Sequence, residues 1–156
     1  MLAKQWTIIL VSTFFIPSFS LIACRSASWP LSKDEIKLCK TLSEKYRCKV
    51  SMEHDKKAIV EKNSNGEFLI QFEDKGFDLC AKDTSYLKKI ATEVTTQIIP
   101  VLSYKSSYKI VNIIFFKIKI TGKDSDSTVC EKQLDVNIKH PDQVTISYYK
   151  KDNPLE

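Results

Sequence analysis

Glycine is nearly absent from this 156-residue chain, with Gly66, Gly76 and Gly122 the only three. That scarcity excludes whole site architectures. A nucleophile elbow needs the pattern G-x-S-x-G, and a phosphate-cradling loop needs a glycine-rich turn ahead of a helix; none of the three glycines is so placed. Histidine is as sparse. His54 and His140 lie in charged or proline-containing turn sequence, away from ligand spacing to any cysteine, and there is no C-x-x-C. No metal site is expected from such an inventory, no cofactor motif is present, and both histidines read as surface residues beside paired cysteines. Arginine is limited to Arg25 and Arg47 against 22 lysines, and the net charge of +5 is spread along the chain. Lysine is a strongly hydrated point charge. The excess therefore reads as solvated surface, without the basic, aromatic-interleaved stripe that nucleic acid would require.

A long hydrophobic run is also missing. The apolar stretch from Trp6 to Ile16 ends at Pro17, and Ser18 and Ser20 interrupt it before Leu21 and Ile22. That falls short of the roughly 20 predominantly apolar residues a transmembrane helix needs. With Lys4 ahead of it, the stretch has the form of a signal peptide. Leu21, Ile22, Ala23 and Cys24 follow directly, and this tetrad resembles the lipobox of bacterial lipoproteins. The resemblance covers residues 1–24 and implies cleavage after Ala23, lipidation of Cys24 and attachment to a membrane of the bacterial cell envelope. Arg25, where an aspartate would commonly signal retention at the inner membrane, implies the outer membrane in a cell that has one. The alternative is an ordinary secretory signal cut after Ser20 or Ala27. Loss of residues 1–23 leaves 133 residues, enough for one domain with a single core.

Cys39, Cys48, Cys80 and Cys130 then remain, an even number in an exported chain, and two disulfides are expected. Pairing Cys39 with Cys48 is disfavoured if a helix runs to Tyr46, since seven residues at about 1.5 Å each separate Cys39 from the helix end by roughly 10 Å. The pairs favoured are Cys39 with Cys80 and Cys48 with Cys130.

The mature sequence divides into a lipidated N-terminus and tether (24–31), one domain (32–149) and a loose C-terminal tail (150–156). Ser32 and Glu35 form a capping-box pattern, with Leu31 and Ile36 at staple positions, so a helix should begin at Lys33. Ile36, Cys39, Leu42 and Tyr46 mark its inner face. Strands are expected over Cys48–Met52, the apolar run Ala58–Glu61, and Phe68–Phe72, with Asn63–Gly66 as a hairpin turn. A second helix is predicted from Thr84 to about Ile99, ended by Pro100. The run from Tyr108 to Ile120 is apolar on both faces, as in a central strand covered on both sides. Strands over Val129–Ile138 and Val144–Tyr149 follow, with a turn at His140–Asp142. The order predicts an α+β domain, two helices packed on one face of a mainly antiparallel sheet, and would allow a duplicated half.

Remaining clusters read as ordinary surface. Asp124, Asp126 and Thr128 lack the glycine and the terminal glutamate of a calcium loop. Glu73, Asp74 and Asp78 are interleaved with lysine. Trp29, Tyr104, Tyr108, Tyr148 and Tyr149 are candidates for a binding surface, Tyr148 and Tyr149 foremost, because neighbours on a strand point to opposite faces. The expected function is a lipid-anchored envelope module that binds another envelope protein without catalysis. An inhibitor or immunity-type protein blocking a secreted toxin or hydrolase, and a small envelope enzyme, are the alternatives.

Overall fold

The computed structural model describes residues 29–74, 78–79, 82–120 and 126–150. The leader, Cys24, most of the tether, Cys80, Asp124 and the tail from residue 151 lie outside these. Three helices, α1 (Lys33–Tyr46), α2 (Lys56–Val60) and α3 (Thr84–Ile98), accompany five strands: β1 (Lys49–His54), β2 (Gly66–Glu73), β3 (Tyr108–Ile120), β4 (Asp126–Asn137) and β5 (His140–Lys150). The strands form one sheet in sequence order, so β1 and β5 are its edges. All neighbours pair antiparallel except β2 and β3, which are parallel. A parallel pair needs a long crossover, and α3 lies within it. The domain is α+β with a mainly antiparallel sheet, as the residue pattern predicts.

The capping box at α1 is present in full: the Ser32 hydroxyl accepts from the Glu35 amide at 3.2 Å and the Glu35 carboxylate from the Ser32 amide at 2.6 Å. The inward face is Glu35, Cys39, Leu42 and Tyr46. Ile36 instead stands 51% exposed. The helix stops where Arg47 takes a left-handed conformation (φ 48°) and donates to Ser43 O, turning the chain back into β1. The Ser43 hydroxyl then accepts from the Val50 amide at 3.0 Å, fastening helix to strand.

The Ala58–Glu61 run is not a strand. Asp55 N-caps it by accepting from the Ala58 amide at 3.0 Å, and residues 56–60 close one short helix. Four residues cannot distinguish the two periodicities, and the cap decides the outcome. The turn that follows places its positive φ on Lys62 (52°) rather than on glycine. Gly66 serves packing: a Cβ there would lie 2.3 Å from Ala58 Cβ and 2.7 Å from Ser107 O.

Strand alternation separates two faces. Val50, Met52, Phe68, Ile70, Phe72, Val111, Ile113, Phe115, Leu134 and Val136 are buried and join Leu42, Leu87, Ile90, Val94 and Ile98 of the helices in one core. Phe72 stacks on Phe115 at 5.1 Å; burying each such ring contributes about 2–3 kcal/mol. β3 occupies the predicted central place, but its second face is less covered. Ile114 and Phe116 are half-buried and Ile118 is 37% exposed. No helix among the described residues is long and apolar enough to cross a membrane.

Candidate functional site

At the end of the sheet where β1 finishes and β2 and β3 begin, a buried polar chain links three elements far apart in sequence. His54, the last residue of β1, is 1% exposed, and the expectation of a surface histidine is corrected. Its Nδ1 lies 2.7 Å from the Tyr108 hydroxyl and its Nε2 3.3 Å from Glu35 Oε2. Glu35 completes its set by accepting from the Ser103 amide through Oε1 at 2.7 Å. Burial alone would push the Glu35 carboxyl up, but the hydrogen bonds from His54 and from the Ser32 and Ser103 amides outweigh it and hold the carboxyl at about 2. Burial, and next the Glu35 charge, push the Tyr108 hydroxyl well above the usual phenol range. An ionised Glu35 accepts only, so Nε2 carries a proton, and in the neutral ring Nδ1 accepts from Tyr108. Both ring nitrogens are thereby occupied by protein groups. The cluster pins α1, β1, β3 and the loop at Ser103 together.

Aromatic rings surround the pin. His54 stacks on Tyr108 at 5.9 Å and meets the edges of Phe68 (5.1 Å) and Tyr104 (5.8 Å), while Trp29 stands edge-to-face on Tyr104 at 6.1 Å. Three of the five aromatic residues named from sequence, Trp29, Tyr104 and Tyr108, therefore gather at one place.

Two clefts open beside the pin and share Asn65. One, of about 420 Å³, is lined by Glu53, His54, Asp55 and Glu67. The other, of about 470 Å³, is lined by Ser64, Lys105, Ser106, Tyr108, Lys109 and Lys139 and by no carboxylate. Both are of ligand-binding size. Among the described residues no group of His, Cys, Asp or Glu is arranged to hold a metal.

The other sequence candidates are elsewhere. Tyr148 lies on the edge strand β5, paired with Gln133 and 45% exposed. Tyr149 pairs with Lys132, and its side chain is outside what the structure describes. The two-disulfide expectation is corrected at Cys39 and Cys48, both buried thiols. Cys39 Sγ donates to Val50 O at 3.2 Å across the α1–β1 contact. Burial, with a smaller effect from the Asp74 charge, pushes the Cys48 thiol up to about 12. Cys130 is disulfide-bonded while Cys48 is a thiol, which removes the Cys48–Cys130 pairing among the described residues. Cys80 and the lipidation residue Cys24 lie outside them. The chain matches no known protein family, no curated protein and no solved structure.

Proposed function

We propose that this chain is a lipid-anchored binding module of the bacterial cell envelope, held through Cys24 and acting by contact with another envelope protein. The observation that carries the binding reading is the outer edge of the sheet. β5 is an eleven-residue edge strand whose Ile146 and Tyr148 are 44% and 45% exposed. An edge strand offers unpaired backbone donors and acceptors to a partner's strand. Ile146 pairs with Leu134 and Tyr148 with Gln133, so these two exposed side chains flank the edge on opposite faces of the sheet. Register shifts between Gln133 and Leu134 and between Val136 and Asn137 interrupt the pairing of β4 with β5, the kind of irregularity that restrains indiscriminate edge pairing.

The buried histidine also favours binding over catalysis. A general base needs a nitrogen within reach of substrate, and Tyr108 and Glu35 take both nitrogens of His54. An inhibitor of a toxin or hydrolase would use the same kind of surface. The test is a photo-crosslinking residue at position 148 in cells. One discrete adduct with an envelope protein is expected, and Tyr148→Ala with Tyr149→Ala should weaken capture of that protein about tenfold or more while the unfolding transition stays in place. Full-strength capture by the double variant discards this surface, and capture of a secreted toxin or hydrolase assigns the inhibitor role.

A further inference from the structure

Lys105, Lys109 and Lys139 come from three separate segments: the 3-10 turn before β3 (Lys105–Ser107), the start of β3, and the turn joining β4 to β5. All three line one cleft, all are exposed, and among the described residues none of their ammonium groups takes part in an ion pair or hydrogen bond. Among the described residues four other lysines pair with a carboxylate, Lys40 with Glu44, Lys45 with Glu93, Lys49 with Glu73 and Lys117 with Asp78, and others such as Lys37 and Lys89 stand singly at the surface. What distinguishes Lys105, Lys109 and Lys139 is that they meet at one cleft. Three converging cations without a counter-charge make a positive potential that draws in an anion. Point-charge ammonium groups with Ser64 and Ser106 beside them suit a tetrahedral phosphate, which needs no planar fork.

The adjoining cleft has the opposite sign. Glu53, Asp55 and Glu67 line it, and neither Glu53 nor Glu67 has a cationic partner among the described residues. Asn65 belongs to both clefts. A ligand spanning them would present an oxyanion on one side and an ammonium group on the other.

The position of the N-terminal segment indicates where such a ligand comes from. Trp29 packs on Tyr104, the residue before Lys105, so the chain enters the domain beside the basic cleft. Cys24 is five residues earlier, and five residues reach at most about 18 Å. Trp29 and Tyr104 are moreover the amphipathic aromatic types favoured at a membrane–water boundary.

We propose that this end of the sheet faces the membrane and receives a zwitterionic phospholipid headgroup, its phosphate among Lys105, Lys109 and Lys139 and its ammonium group against Glu53, Asp55 and Glu67. The proposal rests on the lipid-anchor reading, because the anchor brings the clefts to the bilayer and raises the effective headgroup concentration, so that weak contacts suffice. β5 runs away from this end, and Tyr148 is then displayed some nine residues, about 30 Å, from the membrane.

The test uses the full processed protein, with its anchor, reconstituted in vesicles of phosphatidylethanolamine and phosphatidylglycerol that contain a headgroup-nitroxide lipid. Paramagnetic broadening is expected at the amides of residues 64–65, 105–109 and 137–139, and not at 145–148. Lys105→Gln, Lys109→Gln and Lys139→Gln together should lower headgroup occupancy about a hundredfold, at about fivefold for each surface lysine, while the chain still sediments with the vesicles. Glu53→Gln with Glu67→Gln should abolish any preference for phosphatidylethanolamine over phosphatidylglycerol. Broadening elsewhere, or broadening unchanged by the lysine substitutions in a chain that still sediments, overturns the proposal alone. Displacement by soluble phosphoethanolamine at concentrations comparable to the lipid identifies a small-molecule site and overturns bilayer docking. A chain that remains in the supernatant overturns the anchor reading and this one with it.

Discussion

Glu35 closes the N-terminus of α1 and grips His54 with the same carboxylate: Oε2 accepts from the Ser32 amide at 2.6 Å and lies 3.3 Å from His54 Nε2. One side chain thus supplies a helix cap and the centre of the buried pin. Glu35→Ala would leave the Ser32 and Ser103 amides and His54 Nε2 without their acceptor inside the protein. The loss expected from breaking such a buried cluster is about 3–5 kcal/mol, read as a shift in the urea midpoint at neutral pH.

The same group sets an acid limit. Its folded pKa of about 2 lies below the unfolded value of about 4.5, so its contribution is fully present above about pH 5 and is lost as pH falls toward 2. The size is about 3 kcal/mol by linkage. Urea unfolding between pH 6 and pH 2.5 should show this loss in the natural chain, and a flatter profile in Glu35→Gln, which has no proton to take up there. Parallel profiles would remove Glu35 from the acid transition.

Gly66 is held by space rather than by backbone angle. Gly66→Ala should destabilise the domain by about 1–3 kcal/mol through overpacking against Ala58 and the Ser107 carbonyl. Gly66→Ala with Ala58→Gly relieves the 2.3 Å clash with the Ala58 methyl but not the 2.7 Å approach to Ser107 O, so only partial recovery is expected. Thermal unfolding of the two variants checks the order.

What could be read from the residues, and what could not, follows from sequence distance. α1 announces itself because Ser32 and Glu35 are three residues apart and the inward positions recur at helical spacing. β3 announces itself because a run of β-branched and aromatic residues suits a central strand. The α2 turn was hidden by its brevity, and its signal was Asp55, three residues before the amide it caps. The pin was illegible for a different reason. His54 and Tyr108 are 54 positions apart and His54 and Glu35 are 19 apart, and Glu35 is already accounted for as a capping residue. The cleft lysines are illegible likewise, since an evenly spread charge conceals the three that converge. The one available hint was that Asp55 and Gly66 bracket a short connection and so bring the end of β1 and the start of β2 to the same end of the sheet.

Cysteine chemistry separates this structure from the two-bridge expectation. In denaturant without reductant, Cys39 and Cys48 should titrate as thiols, whereas two bridges involving them would give none. In the folded protein neither should react with an alkylating reagent at pH 8, because both are buried and the Cys48 thiol is pushed up to about 12. Peptide mapping should recover Cys130 in a bridge, with Cys80 as the expected partner.

The central claim is that a covalent lipid at Cys24 places this binding domain on an envelope membrane, and membrane partition of Cys24→Ser against the natural chain tests it most directly. The account predicts that the natural chain pellets with membranes as a species lacking residues 1–23 and carrying acyl mass on Cys24, since two or more chains anchor stably, and that Cys24→Ser is either released or retained as the unprocessed precursor. A Cys24→Ser chain processed at the same site and pelleting to the same extent, with no acyl mass on the natural protein, would contradict it.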